Sequence, residues 1–374
     1  MKWALPLLLL TSLVNAQKTE FRFTDFSGGL NDTVEAQSIA INESPDMCNV
    51  VIDEPGKLKP RNGFTLCGVV PSGNPATNLY EFSPNSGARR LIVTDNDQIW
   101  ETPDCTNFTR IRHDLGTDAK PYFATVRDKL WIVNKATHPF TWDGSTGTIL
   151  DGGAGTPSPP PPNCQYLEFF QERVWCARES GDPSAIAFSA LTDPSGNDLD
   201  PSTGTAAWPA TNVVYVDQDS GGPVYAIKKF KNALYAFKER SIFRITCRVQ
   251  CEFDIEVVRT PASAGTKFQE GIVALNDRLY YVGHDGIYVF DGENSVRLSD
   301  KFQKTFEGIL QPGFQDIAFI WNTQEDFDTG TTTNTLTSHV EDTLTLSSRT
   351  VVADTKHNGE FSNSSSWTLT TQGF

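Results

Sequence analysis

Asp217-x-Asp219-x-Gly221 puts two carboxylates at alternate positions of a polar loop, a spacing at which side chains can converge on a calcium ion. A calcium loop also supplies a distal Glu and further oxygens, so this stretch reads first as a polar turn between strands. The five histidines, His113, His138, His284, His339 and His357, are scattered, and none falls in a His-Glu-x-x-His pattern. His284 precedes Asp285-Gly286 and reads as a turn residue. No Gly-x-Ser-x-Gly elbow presents a nucleophilic serine, and no Gly-x-x-x-x-Gly-Lys-Ser/Thr loop cradles phosphate. The 46 acidic residues leave room for a glycosidase-like carboxylate pair, but no recurrent aspartate box marks one. The chain is therefore expected to be no enzyme, with no catalytic, cofactor-binding or metal-binding residue to assign.

Cysteine chemistry is left open between three states. Seven cysteines are present (Cys48, Cys67, Cys105, Cys164, Cys176, Cys247 and Cys251), so at least one stays unpaired within the chain. Cys247 and Cys251 are close enough to close a hairpin turn, and Cys164 and Cys176 could staple neighbouring strands. Buried free thiols are the second reading, and a zinc site, lacking a His partner or a second spaced pair, the third. Asn31-Asp32-Thr33, Asn42-Glu43-Ser44, Asn107-Phe108-Thr109 and Asn363-Ser364-Ser365 match the N-glycan acceptor pattern and are read as chance matches.

The elements that must carry these residues are strands. With 24 Phe, 9 Tyr and 8 Trp against 2 Met, and 28 Gly and 22 Pro, the composition favours strands and turns over long helices. Lys+Arg number 31 against 46 Asp+Glu, a net charge of −15, which disfavours a nucleic-acid binder working through a broad basic face. Lys2, the apolar stretch 4–14 and the small residues at Val14-Asn15-Ala16 have the layout of a secretory signal peptide over residues 1–16. No later stretch is long and apolar enough to span a membrane, so no membrane is expected in the mature chain.

A phrase recurs along the chain, a polar turn followed by a basic or polar residue and an aliphatic–aromatic strand. It appears at Arg90-Leu91-Ile92-Val93, Lys129-Leu130-Trp131-Ile132, Arg173-Val174-Trp175-Cys176, Asn232-Ala233-Leu234-Tyr235 and Arg278-Leu279-Tyr280-Tyr281. Positions 91, 130, 174, 234 and 279 are separated by 39, 44, 60 and 45, and three of these intervals suit one four-stranded propeller blade. Asp143-Gly144, Asp285-Gly286 and Asp291-Gly292 read as hairpin signals beside the copies, Asp-Gly being suited to type I′ turns. The expected fold is all-β, a propeller of about six small antiparallel blades over residues 17–310, with a β-sandwich as the alternative. The interval of 60 holds a loop insertion rather than a further blade, and Pro157–Pro162 is a stiff connector between two blades.

Two short helices are expected. Ser44-Pro45 suits an N-cap and first position for a helix through Cys48, and residues 300–311 carry Phe302, Phe306, Ile309 and Leu310 on one face, capped by Ser299 or Asp300. Residues 311–374, dense in Thr, Ser, Asn and Gly beyond 329, read as a linker and partial C-terminal β module whose end at Phe374 looks like an unfinished domain.

The most specific stretches are Asp25-Phe26-Ser27-Gly28-Gly29-Leu30-Asn31, Ser44-Pro45-Asp46-Met47-Cys48-Asn49-Val50 and Gly56-Lys57-Leu58-Lys59-Pro60-Arg61-Asn62-Gly63-Phe64. Their order resembles the N-terminus of β-propeller tail-hub, DNA-stabilisation or nozzle proteins of short-tailed bacteriophages. The likeness extends through Asp217–Gly222 and Ile227–Tyr235 to Asp285–Gly292, covering roughly residues 22–310. It implies a structural virion protein, a homo-oligomeric ring subunit of the tail or neck conduit, contacting portal, neck or tail subunits. DNA would pass through it without specific binding, as the acidic balance suits. The leader adds an export or extracellular stage to a virion location. The alternative is a secreted bacterial β-propeller that binds or cleaves polysaccharide; a surface adhesion or receptor-type propeller is a third reading.

Overall fold

In the computed structural model the described residues are 25–52, 56–63, 66–85, 89–95, 97–116, 120–193, 195–219, 222–251, 253–309, 314–326, 331–342, 349–355 and 367–371. Side chains are described as far as Phe306. The leader, residues 1–16, lies outside them.

Two small strand pairs come first. β1 (Gly29–Leu30) runs parallel to β2 (Glu43–Ser44), and β3 (Val50–Ile52) pairs antiparallel with β4 (Leu58–Pro60). Five four-stranded antiparallel blades follow. Blade 1 is β5 (Asn78–Phe82), β6 (Arg90–Asp95), β7 (Gln98–Thr102) and β8 (Thr109–Arg112). Blade 2 is β9 (Tyr122–Val126), β10 (Lys129–Val133), β11 (Phe140–Trp142) and β12 (Gly147–Ile149). Blade 3 is β13 (Cys164–Phe170), β14 (Arg173–Glu179), β15 (Ala185–Phe188) and β16 (Val213–Tyr215). Blade 4 is β17 (Ala226–Phe230), β18 (Ala233–Phe237), β19 (Ile242–Arg248) and β20 (Phe253–Arg259). Blade 5 is β21 (Ile272–Leu275), β22 (Arg278–Val282), β23 (Ile287–Phe290) and β24 (Ser295–Arg297). The fold is thus an all-β propeller, with five blades where the repeat suggests about six.

Every copy of the sequence phrase is the second strand of a blade, and the reason is burial. A four-stranded sheet has two apolar faces, and only neighbouring blades can cover both. Ile92, Leu130 and Trp142 share the core between blades 1 and 2 with Phe82. Trp131, Val174 and Cys176 join that between blades 2 and 3. Trp175, Ile186, Leu234 and Ile245 fill the space between blades 3 and 4, and Phe237, Leu279, Tyr281 and Phe290 that between blades 4 and 5. Consecutive residues of a strand serve opposite cores, so Trp175 and Cys176 look into different interfaces. Contacts of β13 with both β9 and β17 place the first strands of the blades together at the axis.

The interval of 60 is an insertion, as expected: residues 189–212 leave blade 3 between β15 and β16. They return Leu199, Ala207 and Trp208 to the core between blades 2 and 3. The hairpin chemistry differs from the Asp-Gly expectation. Two-residue turns with both residues at positive φ join first to second strands at Arg127-Asp128, Gln171-Glu172 and Asn276-Asp277. At Asp143-Gly144 and Asp291-Gly292 only the glycine is left-handed. There the Asp carboxylate accepts from two backbone N–H groups, those of Ser145 and Thr146 or of Glu293 and Asn294, and closes a longer turn.

The first expected helix is absent. Ser44 is extended in β2, as the proline after it favours, and its hydroxyl donates to the Asp46 carbonyl. The second is present as a 3₁₀ turn at Ser299–Phe302 running into α1 (Gln303–Ile309), with Phe302 and Phe306 buried. Neither Ser299 nor Asp300 caps it; the Ser299 hydroxyl accepts instead from the Ile287 N–H. Beyond it, β25 (Phe314–Asp326), β26 (Thr331–Asp342), β27 (Arg349–Thr355) and β28 (Trp367–Thr371) form one antiparallel sheet, with β25 beside β21.

Six cysteines pair as Cys67–Cys105, Cys164–Cys176 and Cys247–Cys251, leaving Cys48 exposed and free. The first tie, between partners 38 residues apart, holds the segment before blade 1 to the β7–β8 turn. Closing a loop of that length stabilises by roughly 3–4 kcal/mol on chain-entropy grounds. Cys67→Ala with Cys105→Ala should lower the thermal midpoint clearly, read by circular dichroism. Opening the four-residue Cys247–Cys251 loop should cost less.

Candidate functional site

The axis of a propeller is where first strands converge, and here it is bridged by charge. Glu270, just before β21, holds two other blades with one carboxylate. Its Oε1 accepts from Asn78 Nδ2 at 2.6 Å, and its Oε2 meets Lys120 Nζ at 2.6 Å. Asn78 opens β5 and donates also to the Pro121 carbonyl at 2.9 Å. Blades 1, 2 and 5 thus share one polar knot across 192 residues of sequence. Further along the axis Glu168 on β13 is nearly buried and faces Lys228 Nζ at 3.8 Å and Lys229 Nζ at 4.0 Å from β17. Tyr80 and Thr125 share a hydroxyl–hydroxyl bond of 2.9 Å between blades 1 and 2, and burial pushes the Tyr80 phenol up. Gln269 accepts from the Ile227 N–H and donates to the Ile227 carbonyl, a strand-like pair joining blade 5 to blade 4. These groups are occupied with one another, and their arrangement braces the disc.

A second knot fastens the chain's early segment to α1. Asp32 accepts from the N–H groups of Lys304 (3.2 Å) and Thr305 (2.7 Å) and from the Thr305 hydroxyl. It supplies the helix cap from 272 residues away, which is why no local cap is needed. The Thr33 hydroxyl donates to the Asp300 carbonyl at 2.5 Å, and Glu43 holds both Asn31 (2.7 Å) and Lys301 (2.9 Å). These bonds, with the ion pair's help, hold the Glu43 carboxyl below its usual value. Asp25–Asn31 contributes β1 to this clasp, and Ser44–Val50 the second residue of β2 and the first of β3. Gly28 N–H to Asn42 O and Asn31 N–H to Ser44 O knit the first of these stretches to the residues around β2.

The residues singled out from sequence have plain structural duties. The Asp217 carbonyl accepts from the buried Lys238 ammonium at 2.7 Å, so an ammonium from the end of blade 4's second strand holds the loop. Gly221 lies outside the described residues, and among these no group of three or more metal-ligating side chains forms. His284 Nδ1 is 3.4 Å from Asp285 Oδ1 in the β22–β23 turn, and His113 pairs with Asp114. His138 is exposed, His339 lies on β26, and His357 falls outside the described residues. The glycan-pattern amides of Asn31, Asn42 and Asn107 donate to Glu43, Ser27 and Asp104; Asn363 lies outside the described residues.

A concavity lies on the outer part of blade 3. There the connector before blade 3 and the insertion between β15 and β16 fold over the outer strands of the blade. Pro159–Pro162 and residues 208–212 enclose a pocket of about 300 Å³ against β15 and β16. Its floor is made by Ala185 and Ala187 on β15, opposite Tyr215 and Val213 on β16, where two alanines leave depth. Glu179, at the end of β14, and Asp182 line it. Burial and the neighbouring Asp182 raise the Glu179 carboxyl above its usual range. Asp182 is held by the Ser184 N–H (2.9 Å) and by Gln218 (3.2 Å). Sequence reasoning missed both Glu270 and Glu179. A charge interrupting an apolar run, as Glu168 does, is the signal by which an axial group could have been found.

No family model matches the chain, and no curated protein does. Solved structures similar to it include the extracellular domain of a putative hybrid two-component system from B. thetaiotaomicron (TM-score 0.42, 8% identity). The match covers 85% of this chain and 53% of that one, so the chain spans about half its length. The Pan2 WD40 domain of Neurospora crassa follows (TM-score 0.39, 10% identity, 81% and 80% covered). Citrobacter koseri AztD is also similar (TM-score 0.34, 12% identity, 79% and 89% covered).

Glu270→Gln should cost about 2 kcal/mol, because it leaves the Lys120 charge half-paired in a crowded axis; urea unfolding measures it. Asp104, in the β7–β8 turn, accepts from the Asn107 and Thr106 N–H groups and the Asn107 amide, which lower its pKa from 3.8 to about 2. A depressed carboxyl stabilises the fold above pH 4 and loses that contribution as pH falls through about 2. Asp104→Asn should therefore narrow the difference in urea midpoint between pH 5 and pH 2.

Proposed function

We propose that this chain is a structural virion protein, a ring-forming propeller subunit of a phage tail or neck through which the genome passes. One observation carries the reading: the segment with the tail-protein resemblance is the clasp that fastens the two ends of the propeller together. Asp32, Thr33 and Glu43, which directly flank the quoted motif stretches in the early segment, bind the 3₁₀ turn and α1, a bracing role for that segment. The polar groups of the axis likewise brace blades against one another. A rigid disc with free rims is what a ring of repeated heterologous contacts requires. Exposed Ile41, Leu66 and Val69 near the early segment supply apolar surface for such contacts. The net charge of −15 suits a conduit that phosphates do not adhere to. Three disulfides accord with an export or extracellular stage.

A second reading, a secreted propeller that binds or cleaves polysaccharide, draws on the pocket on the outer part of blade 3, where Glu179 and Asp182 stand beside exposed Tyr215. The buried tryptophans count against sugar stacking elsewhere: Trp131, Trp142, Trp175 and Trp208 all lie inside interfaces between blades.

Peptide mass spectrometry on density-purified particles from the source should find this chain in fixed proportion to capsid protein. Recovery only from the particle-free fraction, as a monomer that binds glycan, would replace the ring reading with the second one.

A further inference from the structure

The pocket between the outer strands of blade 3, the proline connector and the insertion is built of parts that suit one ligand chemistry. Its walls are Pro159, Pro160, Pro162, Pro209 and Tyr215, a smooth apolar lining for an unbranched stem. Tyr215 is 49% exposed, so its ring is accessible from outside. Asp182 is committed to the Ser184 N–H and Gln218, and it shares the field of the Lys238 ammonium. Glu179 differs. Among the described residues no ion pair reaches it, although it is partly buried and stands close to a second negative charge. A neutral ligand could accept or donate a hydrogen bond there but would leave the repulsion between the two carboxylates in place. A cation removes both penalties at once.

We propose that this pocket binds a primary ammonium carried on an aliphatic stem, with Glu179 as counter-ion and Tyr215 and the prolines along the stem. A volume of about 300 Å³ accommodates a short alkyl diamine or a lysine side chain. The two sources share one chemistry, and tyrosine adds a cation–π face to it. The inference does not depend on the ring reading, since the pocket exists in the single propeller.

The test uses the full chain and three probes: putrescine, Nα-acetyl-lysine amide and the neutral isostere 1-pentanol, each titrated while the Ala185, Ala187 and Val213 methyl resonances are followed by NMR. Both amines should shift these signals, and 1-pentanol should bind at least about tenfold more weakly, a charge-assisted contact being lost. Glu179→Gln should weaken amine binding by a similar factor. Tyr215→Ser should weaken it with the thermal midpoint kept, since that ring is half-exposed. Tighter binding of putrescine would assign a free diamine, and tighter binding of the lysine amide a partner's side chain; either supports the proposal. Equal binding of 1-pentanol, undiminished amine binding by Glu179→Gln, or no shift with any amine would overturn it. The mass-spectrometric result on particles leaves this outcome untouched, so the two readings fail separately.

Discussion

Glu270 is the point at which a linear array of blades becomes a closed body. Four interfaces between consecutive blades are filled by aliphatic and aromatic side chains that sequence neighbours supply. Such contacts form locally and would be equally at home in an open spiral. Joining blade 5 to blades 1 and 2 requires residues almost two hundred positions apart, and one carboxylate does it through Asn78 and Lys120. The chain entropy lost in that closure grows only slowly with loop length, so a small number of strong, charge-assisted bonds is sufficient. The clasp from Asp32 and Glu43 onto the 3₁₀ turn and α1 adds a second long-range fastening at the outer end of the same blade.

The blades were legible in the sequence because burial on two faces imposes a pattern. An aliphatic–aromatic second strand recurs at Leu91, Leu130, Val174, Leu234 and Leu279, and all five become β-strands in the middle of their sheets. The insertion at 189–212 was legible as an interval too long for a blade. The tight turns were not, because Arg127-Asp128 and Gln171-Glu172 adopt positive φ without glycine. There the strand pairing on both sides imposes the turn, and no residue preference announces it. The Ser44-Pro45 signal failed for a related reason: a good cap and a good first helical residue also make a good extended pair when β1 lies alongside.

The functional residues were less visible. Glu270, Asn78 and Lys120 each look like ordinary surface polar residues in sequence, and only convergence at the axis gives them a role. The Cys67–Cys105 pair is of the same kind, whereas Cys247 and Cys251 reveal themselves by proximity. Glu179 carries no motif at all. Its setting arises from Ala185 and Ala187, whose small side chains are informative only once β15 and β16 are known to be paired.

All blades run in the same sense, so the turns between first and second strands emerge on one side of the disc. On that side lie the two-residue turns at Arg127-Asp128, Gln171-Glu172 and Asn276-Asp277, with Arg127 reaching across to Glu172 of the next blade. The opposite side carries the connectors between blades, including the proline run, and the Asp217 loop. The molecule is therefore a coin with a milled obverse and a relief reverse. A tile of that kind cannot be turned over without exchanging its contacts, so any assembly that uses it acquires a direction.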